Sequence, residues 1–364
     1  MAEALSSGAR ALLDRAFEDI DVLADYHVHA VSQEVNPTWR SWLHPIRRAR
    51  TMVYWSAAGV DPGPSAVADY EARLLDLVRH IPAPVRIYIM ALDRFHHEDG
   101  RADLEKTPIH VPNEHVMALA ERYPRTFVPV VSVHPYRDDA IAALERWASR
   151  GCRHVKWLPN SMNIDPSSER TEPFYRKMAE LDMVLLTHTG DERAFEAHGL
   201  QHLGNPLLLR RPLDMGVRTV ALHSASDGEA ADLESPRREE VPAFDLLLRL
   251  LEEPRYEGLI FGEISGVTFF NHLGRPLEVL LERQDLHHRF VNGSDYPFSA
   301  LNTVIRTSQL ARAGFITAEE RVWLNEIYDF NPLLFDFAVK RTVRHPLTGA
   351  RLSAAVFEVP PGLR

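Results

Sequence analysis

The strongest constraint on the fold is an alternation of short apolar runs with longer amphipathic stretches. Strand-like runs that alternate with helical patterns form parallel βαβ units. Eight such units suffice to close a barrel. We therefore predict an α/β chain folded as a (β/α)₈ TIM barrel. The eight strand-like runs are Val22–His27, Val85–Leu92, Thr126–Val133, His154–Leu158, Met183–Thr187, Val217–Leu222, Tyr256–Glu263 and His288–Val291.

The helix-like stretches indicate how the whole chain is organised. Several open with Pro or Asp in the first turn, which is a helix start signal. We predict one domain, 1–364, with an N-terminal helix, a barrel core at about 22–313 and a C-terminal extension at about 314–364. The extension is predicted to hold two helices and a hairpin about Thr348-Gly349. The predicted helices after the first are Ala66–His80, Asn113–Arg122, Asp138–Arg150, Glu172–Glu180, Pro206–Asp214, Pro242–Glu252, Pro276–Arg283, Ala300–Ala313, Thr317–Tyr328 and Asn331–Lys340.

Composition excludes some classes of partner. A net charge of −10 argues against nucleic acid, because phosphate binding needs a basic surface. No run approaches 18 uninterrupted apolar residues, so we expect no membrane span. The first 20 residues lack the apolar region of a signal peptide, and Cys152 is the single cysteine. We therefore expect a cytoplasmic protein.

Three connections between predicted elements are longer than usual, and all leave strand C-termini. We predict that they overhang the catalytic face, the first two as lids. Three aromatic side chains of the first connection could supply apolar walls to a pocket, although core packing is expected for at least one. The connections are Ala30–Pro64, Arg94–Pro112 and Ser224–Val241, and the aromatic residues are Trp39, Trp42 and Trp55.

Polar side chains at or near strand ends are the candidate functional residues. In a barrel of this type the strands end at the catalytic face, so such side chains converge there. Imidazole and carboxylate are ligands for divalent metals. The series is His27, His29, Lys156, His188, His223 and Asp295.

Each of these residues alone also has an ordinary structural explanation. With 18 His in 364 residues, about one His-x-His pair is expected by chance. On a strand, however, His27 and His29 would face the same side. A lone strand-end histidine is more often simply hydrogen-bonded, and Asp295 could be a turn residue. Lys156 lies between apolar residues, where burial is costly unless it meets an anion such as Asp295, Glu263 or a substrate carboxylate.

The motifs around these residues resemble the amidohydrolase superfamily. The resemblance is to the branch of hydrolases, lactonases and decarboxylases related to aminocarboxymuconate-semialdehyde decarboxylase. The matching segments follow the family order from residue 22 to about 337. They are Asp25-Tyr26-His27-Val28-His29, Val155-Lys156-Trp157-Leu158-Pro159, Leu186-Thr187-His188-Thr189-Gly190 and Gly293-Ser294-Asp295-Tyr296-Pro297.

The resemblance implies a metal site and a reaction. The implied ligands of one divalent ion are His27, His29, His188 and Asp295. In binuclear relatives a carboxylated lysine and the sixth-strand histidine hold a second metal, which would assign that role to Lys156 and His223. In the mononuclear branch that histidine orients substrate or stabilises charge. Asp295, His223 and Lys156 are therefore the catalytic candidates, with nuclearity left open.

The expected activity is hydrolysis of an amide, ester or lactone bond in a small carbonyl compound by a metal-activated water. The alternative is metal-dependent, non-oxidative decarboxylation of a small unsaturated or aromatic acid. Zinc suits hard carboxylate and imidazole ligands, with manganese, iron or nickel as other candidates. We expect a small-molecule substrate, with an anionic one as a candidate, and a homodimer or other homo-oligomer. A non-enzymatic binding protein is a third reading, against which the complete ligand set argues.

Overall fold

The computed structural model describes residues 5–363, which form a parallel eight-stranded barrel. Two short antiparallel strands, β7 and β8, lie outside it. The strand order in the barrel sheet is β1-β2-β3-β4-β5-β6-β9-β10, so neighbours in space follow chain order, as βαβ units require. The strands are β1 Leu23–His29, β2 Val85–Met90, β3 Phe127–Val131, β4 His154–Trp157, β5 Val184–His188, β6 Thr219–Leu222, β7 Glu229–Ala231, β8 Glu240–Pro242, β9 Ile260–Glu263 and β10 Phe290–Val291.

The seam between β10 and β1 nearly closes the barrel. β10 has only two residues, but the chain beyond it stays alongside β1. The Tyr26 amide donates to the Asn292 carbonyl at 2.9 Å, and the His29 amide donates to the Tyr296 carbonyl at 2.8 Å. Val28 also forms a parallel bridge with Tyr296. The predicted barrel is therefore confirmed, with its last strand the most irregular.

Helices pack around this sheet. The N-terminal helix begins after Ser6, whose hydroxyl accepts from the Ala9 amide and caps the first turn. The helix after Thr317 carries a capping box with Glu320. The helices are α1 Ser7–Phe17, α2 Pro45–Ala58, α3 Ala66–Arg79, α4 Asn113–Arg122, α5 Ala140–Ser149, α6 Pro159–Met162, α7 Glu172–Glu180, α8 Arg210–Asp214, α9 Ala243–Glu252, α10 Arg275–Glu282, α11 Thr307–Arg312, α12 Ala318–Phe330 and α13 Pro332–Thr342. None of the helices in residues 5–363 is both long and apolar enough to cross a membrane.

The barrel interior is filled by side chains from alternate strand positions. Tyr26 of β1 and Tyr88 of β2 stack there with ring centroids 3.9 Å apart, beside Val184 and Leu186 of β5. Leu363 joins the same cluster, so the C-terminal segment helps to fill the end of the barrel opposite the cavity described below. The barrel interior is a packed core, and the cavity lined by the strand-end residues lies at its C-terminal face.

An irregularity in β1 turns its two histidines toward that open face. The pairing register with β2 shifts between Asp25 and Val28. Ala24 and Tyr26 point into the interior cluster before the shift, and His27 and His29 line the open cavity after it. A bulge re-aims side chains in this way.

Three parts of the sequence prediction need correction. The C-terminal hairpin is wrong: residues 343–353 contain one turn at 346–348 but no strands, and a 3₁₀ helix follows at Ala354–Phe357. A backbone hydrogen bond from His345 to Ala350 closes the turn, but no strands extend from it, and Val356 and Phe357 are buried in the main core. The connection Ala30–Pro64 contains α2, and the helix predicted at Ala300–Ala313 is only α11.

Candidate active site

The six strand-end side chains meet on the floor of one cavity at the C-terminal face. This cavity has a volume of about 570 Å³. The prediction that these residues converge agrees with the structure, because all six line this cavity. They are His27, His29, Lys156, His188, His223 and Asp295.

Asp295 lies at the centre of the imidazoles. Its Oδ1 is 2.9 Å from His29 Nε2 and 3.5 Å from His27 Nε2. The His223 ring lies 4.8 Å from the His27 ring and 4.9 Å from the His188 ring. Four imidazoles and a carboxylate therefore surround one small volume.

The arrangement fits a bound cation at His27. Its Nδ1 lies 3.0 Å from Glu263 Oε2, whereas its buried Nε2 has no hydrogen-bond partner. Ligand atoms of His27, His223 and Asp295 all lie within 4.8 Å of one another. A buried nitrogen without a partner is costly, and coordination to a metal would satisfy it.

His188 sits beside this group with its ring engaged locally. Nε2 is 3.3 Å from the Asp191 carbonyl, and Nδ1 is 3.6 Å from Glu192 Oε2. Burial lowers the pKa of His188 to about 3, with the positive charge of Lys156 adding to the effect. The imidazole is therefore neutral at neutral pH, as a metal ligand must be.

Lys156 is buried at the cavity, where nearby negative charges act on its ammonium group. Its side chain is only 2% exposed, and burial lowers its pKa to about 8. The negative charges of Asp295, Glu192 and Glu263 act in the opposite direction. Two of these were the counter-charges considered from the sequence, and Glu192 is an additional one.

Two site residues have an unusual backbone. His223 has φ 62° and Asp295 has φ 56°, both in the left-handed region that side chains other than glycine rarely adopt. Such strain costs on the order of 1–3 kcal/mol and tends to occur at functional positions. The left-handed backbone therefore supports a functional role for both residues.

Phenylalanines, not the expected tryptophans, form the apolar wall of the cavity. Among the described residues, none between 30 and 64 lines it. Trp42 is 79% exposed, and Trp55 is buried in the main core. Trp39 packs behind the wall, with its ring 6.1 Å from that of Phe195. The wall consists of Phe195, Phe269, Phe270 and Phe298 with Leu92, Leu158 and Val304.

The long connections therefore play different parts from those predicted. Within residues 5–363, neither Ala30–Pro64 nor Arg94–Pro112 reaches the cavity, so the prediction that both are lids is wrong. They pack behind the wall, where Trp39 and Ile109 line a small pocket together with Phe195 and Phe298, and they pair with each other at Val35 and Ile109. The third connection contributes Asp227 to the rim.

Polar residues that the sequence analysis did not assign to the site also line the cavity. Asp227 at the rim binds the Arg193 guanidinium, and His272 Nδ1 lies 2.7 Å from Ser226 Oγ. Burial raises the pKa of Glu192 to about 7. Its position four residues after His188 is the only sequence signal that could have indicated it.

A parallel barrel with imidazoles and a carboxylate around a cavity at the strand C-termini is the arrangement of metal-dependent barrel enzymes. The amidohydrolase family model matches residues 24–321, which is most of the chain, and the protein belongs to this family. Members are divalent-metal-dependent enzymes that include hydrolases and decarboxylases. No curated protein matches the chain.

Several solved structures are similar to this chain at low sequence identity. An uncharacterised TIM-barrel protein from Bordetella bronchiseptica is 15% identical, with 86% of this chain and 99% of that chain covered and a TM-score of 0.52. A probable 2-pyrone-4,6-dicarboxylic acid hydrolase from Acinetobacter baumannii, solved with citric acid, is 12% identical, with 86% and 95% covered and a TM-score of 0.47. A 5-carboxyvanillate decarboxylase from Novosphingobium aromaticivorans, solved with manganese and a nitrobenzoic acid, is 13% identical, with 87% and 94% covered and a TM-score of 0.48.

Proposed function

We propose that this protein is a metal-dependent hydrolase that cleaves an amide, ester or lactone bond of a small carbonyl compound. The observation that carries the proposal is the His27 Nε2 atom, buried without a partner beside Asp295, in a cavity with room for a small molecule. The proposed ligands of the divalent ion are His27, His29, His188 and Asp295. Zinc is the proposed ion, and manganese, iron and nickel suit the same atoms.

When bound, the ion would polarise a carbonyl oxygen and lower the pKa of a water molecule. The side chains around it supply the proton transfers and the binding of substrate. Asp295 is the proposed general base: its Oδ1 lies among the imidazole nitrogens, 2.9 Å from His29 Nε2. A carboxylate there can take a proton from the attacking water and return it to the leaving group.

Lys156 and His223 complete the proposed catalytic set. Lys156 presents a cation at the cavity floor, where it can hold a substrate oxygen or carboxylate. His223 lies against His27 and His188, within reach of the same substrate atoms. Its role depends on which of its ring nitrogens carries the hydrogen.

Decarboxylation of a small acid is the second candidate. The observation that favours it is the combination of the buried Lys156 with a phenylalanine wall, which suits the carboxylate and the apolar body of an aromatic or unsaturated acid. Both reactions would use the same residues at the metal site. The product is what distinguishes them.

The test is a product assay with the metal-loaded protein and panels of lactones, esters, amides and aromatic acids. Hydrolysis is expected to generate an added carboxylate, followed as base uptake at constant pH for lactones and esters and as released amine for amides. Release of CO₂ from an acid without a new carboxylate would establish the second candidate. Turnover in neither panel, by protein with confirmed bound metal, would contradict both proposals.

We expect about one metal per chain, and Lys156→Ala is expected to retain it. The reason is that the negative charges of Asp295, Glu192 and Glu263 favour an ammonium at Lys156 over a negatively charged carbamate. Elemental analysis of both proteins measures the stoichiometry. About two ions per chain, lost together in Lys156→Ala and partly restored by short carboxylic acids, would instead show that Lys156 is a carbamate bridging two metals.

Phe298→Ala is expected to weaken binding of benzohydroxamic acid, an aromatic metal-binding probe, by roughly 2- to 10-fold. Phe298 lines the cavity with its ring edge-on to His29, 5.8 Å between centroids, and an aromatic contact contributes about 0.5–1.5 kcal/mol. Calorimetry on the metal-loaded protein gives the affinities. Trp42→Ala is the matched control, since this exposed ring lies outside the cavity, and an equal loss there would contradict the assignment of the wall.

The remaining proposals concern domain organisation, cellular location and oligomeric state. A single domain is supported by residues of the C-terminal extension that are buried with the barrel, such as Leu352 and Phe357. A cytoplasmic location is supported by the buried free thiol of Cys152. A homodimer is supported by the exposed apolar side chains Leu43 and Ile46 on and beside α2.

A further inference from the structure

Glu263, at the end of β9, is a hub that touches two of the site histidines. Its side chain is fully buried. Oε2 lies 3.0 Å from His27 Nδ1, accepts from the His223 amide at 3.1 Å and lies 2.8 Å from Ser265 Oγ. Oε1 accepts from the Ser265 amide. One carboxylate thus ties β1, β6 and β9 together behind the cavity floor.

Ser265 extends this hub to the ring of His223. Its Oγ is 2.8 Å from Glu263 Oε2 and also 2.8 Å from His223 Nδ1. Since Ser265 is itself buried, these are the contacts that orient its hydroxyl. Glu263, Ser265 and His223 therefore form a chain of hydrogen bonds that ends at the cavity.

The direction of each hydrogen bond follows from the donors available. An ionised carboxylate can only accept, so the Ser265 hydroxyl gives its one hydrogen to Glu263. The lone pairs of Ser265 are then left facing His223, and the hydrogen between them must belong to His223 Nδ1. A neutral imidazole carries a single hydrogen, so Nε2 of His223 has none. The same reasoning places the hydrogen of His27 on Nδ1.

We propose that Glu263 and Ser265 are positioning residues that fix His27 and His223 in the same tautomer, each presenting an unprotonated Nε2 to the cavity. His223 is then an acceptor, able to bind a metal or receive a proton. It does not donate a hydrogen bond to a substrate oxygen, as the charge-stabilising role implied by the resemblance would require. The short separation of the His27, His223 and Asp295 ligand atoms agrees with three acceptors facing one cation.

The surrounding backbone leaves room for this hub. A Cβ placed on Gly293, just after β10, would lie 2.7 Å from His27 Cβ and would also collide with Glu263 Oε1. The Gly293 carbonyl accepts from Lys340 Nζ of α13 at 2.6 Å, which holds this segment against the hub.

Burial lowers the pKa of His223 well below its usual value, which keeps the ring neutral. The inference refines the proposed function at the same site, but its first test requires neither metal nor substrate.

The test is the histidine tautomer, measured by two- and three-bond ¹H–¹⁵N couplings in metal-free protein labelled with ¹⁵N-histidine. Because burial raises the pKa of Glu263 to about 7, spectra are recorded at about pH 8. We expect His223 and His27 as Nδ1–H tautomers, each assigned by the signal lost in its glutamine variant. An Nε2–H tautomer at His223 in the unmodified protein would overturn the inference by itself, before any substitution of Glu263 or Ser265.

Variants then separate positioning from general support of the fold. Ser265→Ala is expected to shift His223 toward the Nε2–H form, and Ser265→Thr is expected to restore Nδ1–H. Ser226→Ala is the matched control, because its hydroxyl lies 2.7 Å from Nδ1 of His272, not of His223. An unchanged His223 tautomer in Ser265→Ala, or the same change in Ser226→Ala, would contradict the proposed role of this chain of hydrogen bonds.

Zinc affinity tests the contribution of Glu263 to the metal site. Glu263→Gln is expected to weaken zinc binding roughly 10- to 100-fold, the usual effect of losing an outer carboxylate partner. Competition with a chromophoric chelator measures it. Wild-type zinc affinity in Glu263→Gln would overturn the role of Glu263. Zinc binding without turnover in any panel would contradict the proposed function alone and leave the tautomer assignment standing.

Discussion

Asp295→Asn is expected to reduce turnover at least about 100-fold while the protein keeps its metal. A general base typically contributes 10²- to 10⁴-fold, and the loss of about 2.7 kcal/mol of transition-state stabilisation follows from the lower figure. Asparagine retains an oxygen that can face the cation but cannot take a proton. The measurement is kcat on the substrate identified in the product assay, together with metal content.

Metal content is the control for this variant, because Asp295 lies close to two histidines proposed as metal ligands. Asp295 Oδ1 lies 2.9 Å from His29 Nε2 and 3.5 Å from His27 Nε2, so an amide nitrogen facing those rings could displace the ion. Loss of metal would assign Asp295 mainly a ligand role. More than about a tenth of wild-type turnover with full metal occupancy corresponds to less than about 1.4 kcal/mol and would contradict the assignment of a general base.

The barrel could be predicted from the sequence because its signal is repeated. Eight apolar runs with helices between them recur along the chain, and the parallel order follows from that alternation. Convergence of the strand-end residues followed from the same geometry, since all strands of a barrel end at one face. His188 and His223 illustrate this: they lie on neighbouring strands, and their rings are 4.9 Å apart.

The cavity wall could not be predicted, because nothing local distinguishes a wall residue from a core residue. Trp39 and Trp55 were reasonable candidates by aromatic content, but both are buried outside the cavity. Phe269 and Phe298 follow the last two barrel strands in segments that carried no signal of their own. Their placement depends on tertiary packing, which periodicity in the sequence does not report.

Glu263 could be predicted only in part from its position at the end of a strand. It ends a barrel strand just as His188 does, and the sequence analysis considered it as a counter-charge for Lys156. Its contacts with His27, Ser265 and the His223 amide depend on which way a buried carboxylate turns. The position of Glu263 at a strand end was therefore predictable from the sequence, whereas its contacts depend on the tertiary structure.

His27→Ala and His188→Ala are both expected to weaken metal binding by more than about 100-fold, or about 2.7 kcal/mol. Each substitution removes a proposed ligand, and this should exceed the roughly 10- to 100-fold loss caused by an outer partner. His27→Ala also removes one of the hydrogen-bond donors of the fully buried Glu263 carboxylate, so this variant is expected to unfold at a lower temperature as well. Chelator competition gives the affinities, and thermal melting of the metal-free proteins gives the stability.

His96→Ala is the matched control for both ligand variants. His96 is another buried histidine, but its Nδ1 bonds the Arg94 carbonyl at 3.0 Å in a connection that does not reach the cavity. We expect it to keep wild-type zinc affinity. If His188→Ala binds zinc as tightly as His96→Ala does, His188 is not a ligand; its contacts with the Asp191 carbonyl and Glu192 would then be structural. If His27→Ala also retains the ion, the metal site proposed for this cavity is wrong, because its unpartnered Nε2 is the atom that most requires a cation.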